Sequence, residues 1–464
     1  MKGINYNWKY LYGISLVTAM GGLLFGYDWV VIGGAKPFYE PFFGITDSTV
    51  LQGWAMSCAL IGCLAGAFLS GWTSDRFGRK RLLIPAAGLF VVASLGTGAA
   101  SSLGMFIFFR IVGGIGIGLA SNLSPMYIAE VTPGKIRGRF VSINQLTIVI
   151  GILAAQLVNW RIAQPVHAGA TTGEILNSWN GQTGWRWMFY ACAIPAGLFF
   201  FLMWLVPESP RWLARNQANH LKVSVTLSKI GGNDYAVAEL KAIQETLSAS
   251  SVKSNFSILK QAGVKKLLII GIVIAVFQQW CGINVIFNYA QEIFSGAGYS
   301  VSDILFNIVI TGSVNLIFTF VGMFTVDKIG RKALMLIGAG GLAGIFAVIG
   351  TLYYFHIQGL PLLVMVVLAI ACYAMSLAPV TWVLLSEIFP NRMRGLAMSI
   401  ATFALWTACF VLTYTFPVLN KLLMASGTFW LYGIICVFGF LFIFMKLPET
   451  KGKSLEEIEH DFMN

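Results

Sequence analysis

The sequence predicts an all-α membrane protein with twelve membrane-spanning helices in two bundles of six. Three observations support this fold class. The chain of 464 residues is 57% hydrophobic and only 11% charged, which is too apolar for a soluble globular protein. Its apolar residues fall into stretches of about 20, the length that crosses a bilayer as a helix. Several short motifs occur twice, once in each half of the chain.

The predicted spans follow one another along the chain, with short polar loops between most of them. They cover residues 10–33, 50–72, 82–100, 104–128, 140–161, 185–206, 266–294, 302–326, 333–355, 361–386, 394–420 and 427–446. A longer polar stretch separates the sixth span from the seventh, and its apolar spacing favours short amphipathic helices. We therefore expect a first bundle (1–206), a cytoplasmic helical linker (207–264), a second bundle (265–447) and a cytoplasmic tail (448–464).

The net charge of +12 lies in loops rather than on one continuous face. Basic residues fill alternate loops, at 76–81, 135–139, 328–332 and 392–394, whereas the intervening loops have almost none. By the positive-inside rule, these loops and both termini lie in the cytoplasm. A nucleic-acid-binding protein would need one continuous basic face, so nucleic acid is not an expected partner.

Three motifs of the first half recur in the second half, in the same order and at nearly constant spacing. The matched pairs are Asp75–Lys80 with Asp327–Lys332, Glu130–Gly138 with Glu387–Gly395, and Pro207–Ser209 with Pro448–Thr450. This pattern indicates a parallel duplication of six spans. Two such bundles around a central cavity are typical of alternating-access carriers.

The repeated motifs bring acidic and basic side chains to span ends on one side of the membrane. Opposite charges that pair there can close the inner mouth, and their separation opens it. The residues that we assign to this gating network are Asp75, Arg79, Glu130, Arg137, Asp327, Arg331, Glu387 and Arg394. The alternative is that these charges only set the topology.

Three amide side chains interrupt the seventh predicted span, at Gln278, Gln279 and Asn284. Hydrocarbon cannot satisfy their hydrogen bonds, whereas the vicinal hydroxyls of a ligand can. Gly282 lies between them and permits a break in the helix, as in the binding sites of transporters. The alternative is that the amides only hold neighbouring helices together.

Asp28 places a carboxylate inside the first predicted span, and Arg110 in the fourth is its expected partner. A bare charge at that depth costs about 2.5–3.5 kcal/mol on insertion scales. A carboxylate that alternately gains and loses its cation can release and bind a proton. We therefore predict that Asp28 and Arg110 couple transport to a proton, with a static ion pair as the alternative.

The whole chain resembles the sugar-porter family of the major facilitator superfamily. The resemblance rests on the duplicated motifs and on Arg110–Gly114, Ser124–Glu130, Pro207–Trp212, Gln278–Asn284 and Pro448–Gly452. It implies the major facilitator fold and monosaccharide transport by a monomer in the lipid bilayer. It also implies that a proton is the coupling ion, with no cofactor or metal. Short loops favour a bacterial inner membrane as the location.

Residue roles follow from the resemblance by motif position. Hydrogen bonds to the sugar are implied for Gln145, Gln278, Gln279, Asn284 and Asn315, and packing against its ring for Phe25, Trp382 and Trp406. The resemblance adds Glu208 to the gating network. Positions that depart from the family pattern are Ile152, Asn288, Ala378 and Leu405. Because two amides are lost and one is gained, glucose, xylose, galactose and arabinose all stay open as substrates.

The predicted function is therefore a proton-coupled symporter that imports a monosaccharide across the cytoplasmic membrane. One alternative is a facilitative uniporter of the same fold, in which Asp28 is vestigial. Another is a membrane sugar sensor that binds without turnover. An enzyme is not expected, because no nucleophile–base set or phosphate-binding loop is present and the seven cysteines and four histidines lack metal-ligand spacing.

Overall fold

A computed structural model of the chain describes residues 6–167, 170–215, 220–249, 262–295, 300–389, 394–447, 449 and 451. Within these ranges every regular element is helical, and no strand is formed. The first half of the chain contains α1 (Trp8–Phe43), α2 (Thr49–Phe77), α3 (Lys80–Ala99), α4 (Leu103–Val131), α5 (Arg137–Ile162), α6 (Thr172–Asn177) and α7 (Trp185–Met203). The linker contains α8 (Pro210–Arg215) and α9 (His220–Ala249).

The first and fourth spans of the second half are each broken into shorter helices. Its helices are α10 (Ala262–Trp280), α11 (Ile283–Asn288), α12 (Ala290–Ser295), α13 (Val301–Ile329), α14 (Arg331–Tyr354), α15 (Leu360–Met375), α16 (Leu377–Ile388) and α17 (Arg394–Lys446). Gly282 separates α10 from α11 with a φ of +87°, a conformation that glycine adopts without strain. The break that the sequence predicts at Gly282 is confirmed. A second break, at Ser376, separates α15 from α16.

The described residues contain eleven stretches long and apolar enough to cross a membrane. The last of them, Leu396–Lys446, has 51 residues. A straight helix of that length would measure roughly 75 Å, more than twice the hydrocarbon thickness of a bilayer. The backbone leaves the helical conformation at Met424 (φ 57°, ψ 173°), so α17 consists of two helices and crosses twice. The predicted fold class, an all-α membrane protein with twelve spans, is confirmed.

We call the membrane face of the turns at Gly78 and Gly330 the basic side, and the opposite face the far side. The two bundles contact each other where α1 meets α11 and α12, where α2 meets α17, and where α5 meets α13. The ring of Trp160 near the end of α5 lies 5.8 Å from that of Phe306 near the start of α13. Because both rings belong to the far-side ends of their helices, the bundles are packed together on that side.

The linker packs onto the basic side of the first bundle. Ile230 of α9 accepts a hydrogen bond from the backbone N–H of Asn7 at 2.8 Å. Tyr235 is buried in an apolar cluster that Phe140 of α5 also joins, and this burial raises the pKa of its phenol. The indole of Trp212 donates to the backbone oxygen of Asp75 at 2.9 Å. These contacts attach the linker to the ends of the spans that carry the repeated motifs.

Candidate functional site

Asp28 on α1 and Arg110 on α4 form an ion pair inside the first bundle. Arg110 Nη1 lies 2.7 Å from Oδ1 and 2.8 Å from Oδ2 of Asp28. Both residues are buried, with 7% and 4% of their surface exposed. The guanidinium carbon lies 5.9 Å from the centroid of the Phe189 ring. A buried ion pair is weak support for stability, because desolvation offsets the attraction, so this pair invites a functional explanation.

The three predicted amides form a chain of hydrogen bonds at the break between α10 and α11. Gln278 Nε2 donates to the hydroxyl of Tyr373 on α15 at 2.6 Å. Gln279 Nε2 donates to Gln278 Oε1 at 2.5 Å, and Asn284 Nδ2 donates to Gln279 Oε1. The turn at Gly282 brings Asn284 back beside Gln279. The chain holds the amides in fixed orientations and leaves further donors and acceptors for a polyhydroxyl ligand.

An aromatic cluster joins the two bundles through Trp406, three residues before Cys409, whose Sγ lies 3.9 Å from Nδ2 of Asn284. The ring of Trp406 on α17 lies 5.6 Å from that of Phe25 and 6.1 Å from that of Trp29, both on α1. Trp406 Nε1 is buried without a hydrogen-bond partner, so it is a donor that a ligand can satisfy. Flat apolar rings with one free donor suit the C–H face of a sugar ring.

Three other predicted sugar ligands lie on α5, α13 and α16. Gln145 is half-buried on α5, Asn315 is buried on α13, and Trp382 on α16 is 37% exposed. Within the described part of the structure, no hydrogen bond joins these three side chains to Gln278, Gln279 or Asn284. Their predicted role in binding therefore stays a prediction.

The charged motif of the first half forms a network on the basic side. Arg79 Nη2 lies 2.8 Å from Glu130 Oε1, and its Nη1 lies 3.4 Å from Asp75 Oδ1. Glu130 also accepts a hydrogen bond from the hydroxyl of Ser209. Glu208 Oε1 accepts the backbone N–H groups of Arg79 at 3.0 Å and of Lys80 at 3.1 Å. This carboxylate therefore caps the start of α3.

The second half repeats this arrangement. Arg331 Nη2 lies 3.0 Å from Glu387 Oε1. Glu449 accepts the backbone N–H groups of Arg331 at 2.9 Å and of Lys332 at 3.0 Å, as Glu208 does in the first half. In both halves the capping carboxylate lies against a glycine of positive φ, Gly78 (+97°) or Gly330 (+104°). Any Cβ there would strain the backbone and crowd the carboxylate.

The comparison with known proteins identifies the family. Residues 14–462 match the family described as "Sugar (and other) transporter". The chain belongs to this sugar transporter family. Membership confirms the resemblance seen in the sequence and the expectation of a transporter rather than an enzyme.

Several sugar transporters are similar to this chain over nearly their full length. The D-xylose-proton symporter of Escherichia coli (strain K12) is 40% identical, with 98% of this chain and 96% of the relative covered. The arabinose-proton symporter of Bacillus subtilis (strain 168) is 38% identical, with 96% and 94% covered. A solved structure of the E. coli xylose transporter, in a partially occluded inward open conformation, has a TM-score of 0.84. It is 37% identical and covers 96% of this chain and 100% of that one.

Three predicted members of the gating network are not joined to it by a described hydrogen bond or ion pair. Arg137 lies at the start of α5, where its Nε is buried without a hydrogen-bond partner. The side chains of Asp327 and Arg394 lie outside the described residues. The gating role of these three residues stays a prediction.

Four contacting residues of this sugar transporter were missed by the sequence analysis: Trp29, Ser209, Tyr373 and Glu449. Only Glu449 carried a usable signal, because Pro448–Thr450 repeats Pro207–Ser209 and so marks Glu449 as the counterpart of Glu208. The positions that depart from the family pattern, Ile152, Asn288, Ala378 and Leu405, are all buried.

Proposed function

We propose that this sugar transporter imports a monosaccharide together with a proton, by alternating access, across the inner membrane of a bacterium. The observation that carries the proposal is the buried pair of Asp28 with Arg110, held between two helices of the first bundle. A protein that only binds sugar has no need of a buried ion pair that can separate during a transport cycle. The two proton symporters named above support the same conclusion, since this chain aligns with them almost from end to end.

The pair accounts for coupling because its two states differ in proton binding. In the structure Arg110 contacts both oxygens of Asp28 and so provides the buried carboxylate with a cationic partner. A shift of α1 relative to α4 inside the first bundle, accompanying the movement of the two bundles, would leave the carboxylate in an apolar environment, where the protonated form is favoured. A proton taken up outside is then released inside, when the pair forms again.

The sugar is proposed to bind between the amide chain and the aromatic cluster. Gln278, Gln279 and Asn284 would hydrogen-bond its hydroxyls, and Trp406 would donate its free indole N–H while packing against the ring. Gln145, Asn315, Phe25 and Trp382 complete the proposed set. A pentose or hexose such as xylose, arabinose, galactose or glucose has the hydroxyl pattern that this set requires.

We propose that the basic side faces the cytoplasm, together with both termini. The positive-inside distribution of arginine and lysine supports this orientation. The far-side packing between the bundles then corresponds to a closed outer entrance. We further propose that the units 1–206 and 265–447 move against each other in a single monomer within the bilayer. The linker 207–264 and the tail 448–464 would lie at its cytoplasmic face.

The decisive experiment is uptake of radiolabelled sugar into proteoliposomes with an imposed pH gradient. One coupled proton moving through about 100 mV supplies roughly 2.3 kcal/mol, enough for about fifty-fold accumulation of a neutral solute. Asp28→Asn should abolish accumulation and still exchange sugar between the two sides, because only the proton-binding group is lost. Asp47→Asn, in an exposed far-side loop, is the matched control and should accumulate sugar normally.

Uptake that ignores the pH gradient would remove the coupling proposal and leave a uniporter. Saturable sugar binding without any uptake or exchange would instead indicate a sensor. Binding of none of the four sugars would contradict the proposed substrate class.

A further inference from the structure

A buried lysine on the far side of α1 contacts two carboxylates. Lys36 is 2% exposed, and its Nζ lies 3.1 Å from Glu40 Oε1, one helical turn further on. The same Nζ contacts Glu292 Oε1 on α12, which belongs to the second bundle. It also lies 5.3 Å from the centroid of the Tyr289 ring. One ammonium group thus connects the two bundles.

The contact between Lys36 and Glu292 crosses the bundle interface at a point of close backbone approach. A Cβ built on Gly33 would lie 3.1 Å from the carbonyl oxygens of both Phe287 and Asn288. The backbones of α1 and α11 therefore almost touch one turn before Lys36. Any movement that opens the far side between α1 and α12 must separate Lys36 from Glu292.

Glu40 gives Lys36 a partner that does not depend on the bundle interface. Both residues belong to α1 and are four residues apart, so opening the interface leaves them together. A buried ammonium left without any carboxylate would carry a heavy desolvation cost. Glu292 is the more accessible carboxylate, with 26% of its side chain exposed against 8% for Glu40. Water can therefore solvate Glu292 once it leaves the lysine.

We propose that Lys36, Glu40 and Glu292 form a reversible far-side latch, in which Glu292 holds the entrance closed and Glu40 keeps Lys36 paired when it opens. The inference rests on the proposed alternating access and assigns three residues to its far-side step. Two carboxylates compete for one ammonium, so their removal has opposite effects. Loss of Glu292 favours the open far side, whereas loss of Glu40 strengthens the bridge across the interface.

The test is a distance measurement by double electron–electron resonance on the purified full chain. Spin labels are placed at Val50→Cys and Leu422→Cys, which are exposed on the far-side ends of α2 and α17. Cys372→Ser removes the one native cysteine that is not fully buried. Glu292→Gln should raise the ratio of long to short distances about tenfold, the equivalent of roughly 1.4 kcal/mol. Glu40→Gln should lower this ratio, and Lys36→Met should raise it.

Matched variants control for changes that are merely structural. Glu174→Gln removes an exposed far-side carboxylate outside the latch and should leave the distances unchanged. Glu292→Asp keeps the charge with a shorter reach and should raise the ratio less than Glu292→Gln does. Equal distributions for wild type and Glu292→Gln would overturn the latch, as would a shift of Glu292→Gln and Glu40→Gln in the same direction. The measurement needs neither sugar nor a proton gradient. It can therefore contradict the latch while the uptake assay supports the proposed function, or support the latch while the uptake assay contradicts that function.

Discussion

The hydroxyl of Tyr373 ends the chain of amides, and it is the only member of that chain that lies on α15. Its oxygen accepts the N–H of Gln278, which leaves Gln278 Oε1 to accept from Gln279. The orientation of all three amides therefore depends on one phenol that no ligand needs to touch. A buried chain of hydrogen bonds stabilises one arrangement of its side chains only when every member has a partner.

We expect Tyr373→Phe to weaken sugar binding by a factor of about three to ten, because one positioning hydrogen bond contributes about 0.5–1.5 kcal/mol. The readout is the dissociation constant from quenching of tryptophan fluorescence. Tyr353→Phe is the control, since that phenol donates to the backbone of Ile293 on the neighbouring α12 rather than to an amide. An unchanged affinity in Tyr373→Phe, with the protein folded, would contradict the positioning role.

At the residue scale, polar side chains that are unfavourable in hydrocarbon could be predicted from the sequence, whereas aromatic contact residues could not. Gln278, Gln279 and Asn284 were predictable because amides are expensive in hydrocarbon, and Asp28 because a carboxylate is more so. Tyr373 and Trp29 were not, because aromatic residues are common in spans and their partners lie far away in the chain. The pairing of Lys36 with Glu292 was not predicted, because each residue lies near a span end, where a single charged side chain reaches water easily.

At the scale of helices, the break at Gly282 sets the position of the amides that we propose bind the sugar. A side chain at this φ of +87° is strained by roughly 1–2 kcal/mol. A Cβ there would also lie 2.8 Å from the ring of Tyr432. The glycine thus satisfies a backbone requirement and a packing requirement together.

We expect Gly282→Ala to lower the thermal unfolding midpoint in detergent and to weaken sugar binding, because Asn284 would move relative to Gln279. The matched control is Gly344→Ala on α14, where nothing lies within 4 Å of the added methyl group. That substitution should leave binding unchanged and stabilise the helix by up to about 1 kcal/mol. A Gly282→Ala variant with wild-type stability and affinity would show that the break does not require glycine.

The span pattern was readable from the sequence, and the helix interruptions were only partly so. The break at Gly282 was predictable because glycine permits the left-handed conformation. The turn at Met424 falls in the predicted loop between the spans 394–420 and 427–446, but the residue that makes the turn was not predictable, since methionine rarely adopts a φ of +57°. It is imposed by the chain reversal between two spans. The interruption at Ser376 lies three residues before Pro379, which cannot donate a backbone hydrogen bond to the helix.

On the scale of the whole molecule, we propose that the charged network of the basic side and the far-side latch act on opposite mouths of one pathway. Arg79 with Glu130 and Arg331 with Glu387 are pairs within single bundles. We propose that they also present charges to the partner bundle when the basic side closes. Closure of one side and opening of the other are then set by the balance between two groups of ion pairs.

We expect Glu130→Gln to favour the form with the far side closed, because it weakens the charges that hold the basic side shut. The spin-label pair at positions 50 and 422 should report a higher share of short distances, and sugar exchange should slow. Glu239→Gln is the control, because its contact with Arg211 on the linker is a long one at 4.0 Å. A shift of Glu130→Gln toward long distances would contradict this assignment.

Glu208 and Glu449 cap equivalent turns in the two halves, as expected if the chain arose by duplication of a six-span ancestor. Two identical six-span ancestors, inserted in the same direction and associated as a twofold dimer, would already have possessed both caps. Two identical subunits could not, however, have carried different functional residues. The fused chain carries the buried carboxylate of Asp28 in its first half and the amides Gln278, Gln279 and Asn284 in its second, so unequal sites lie inside a symmetric frame.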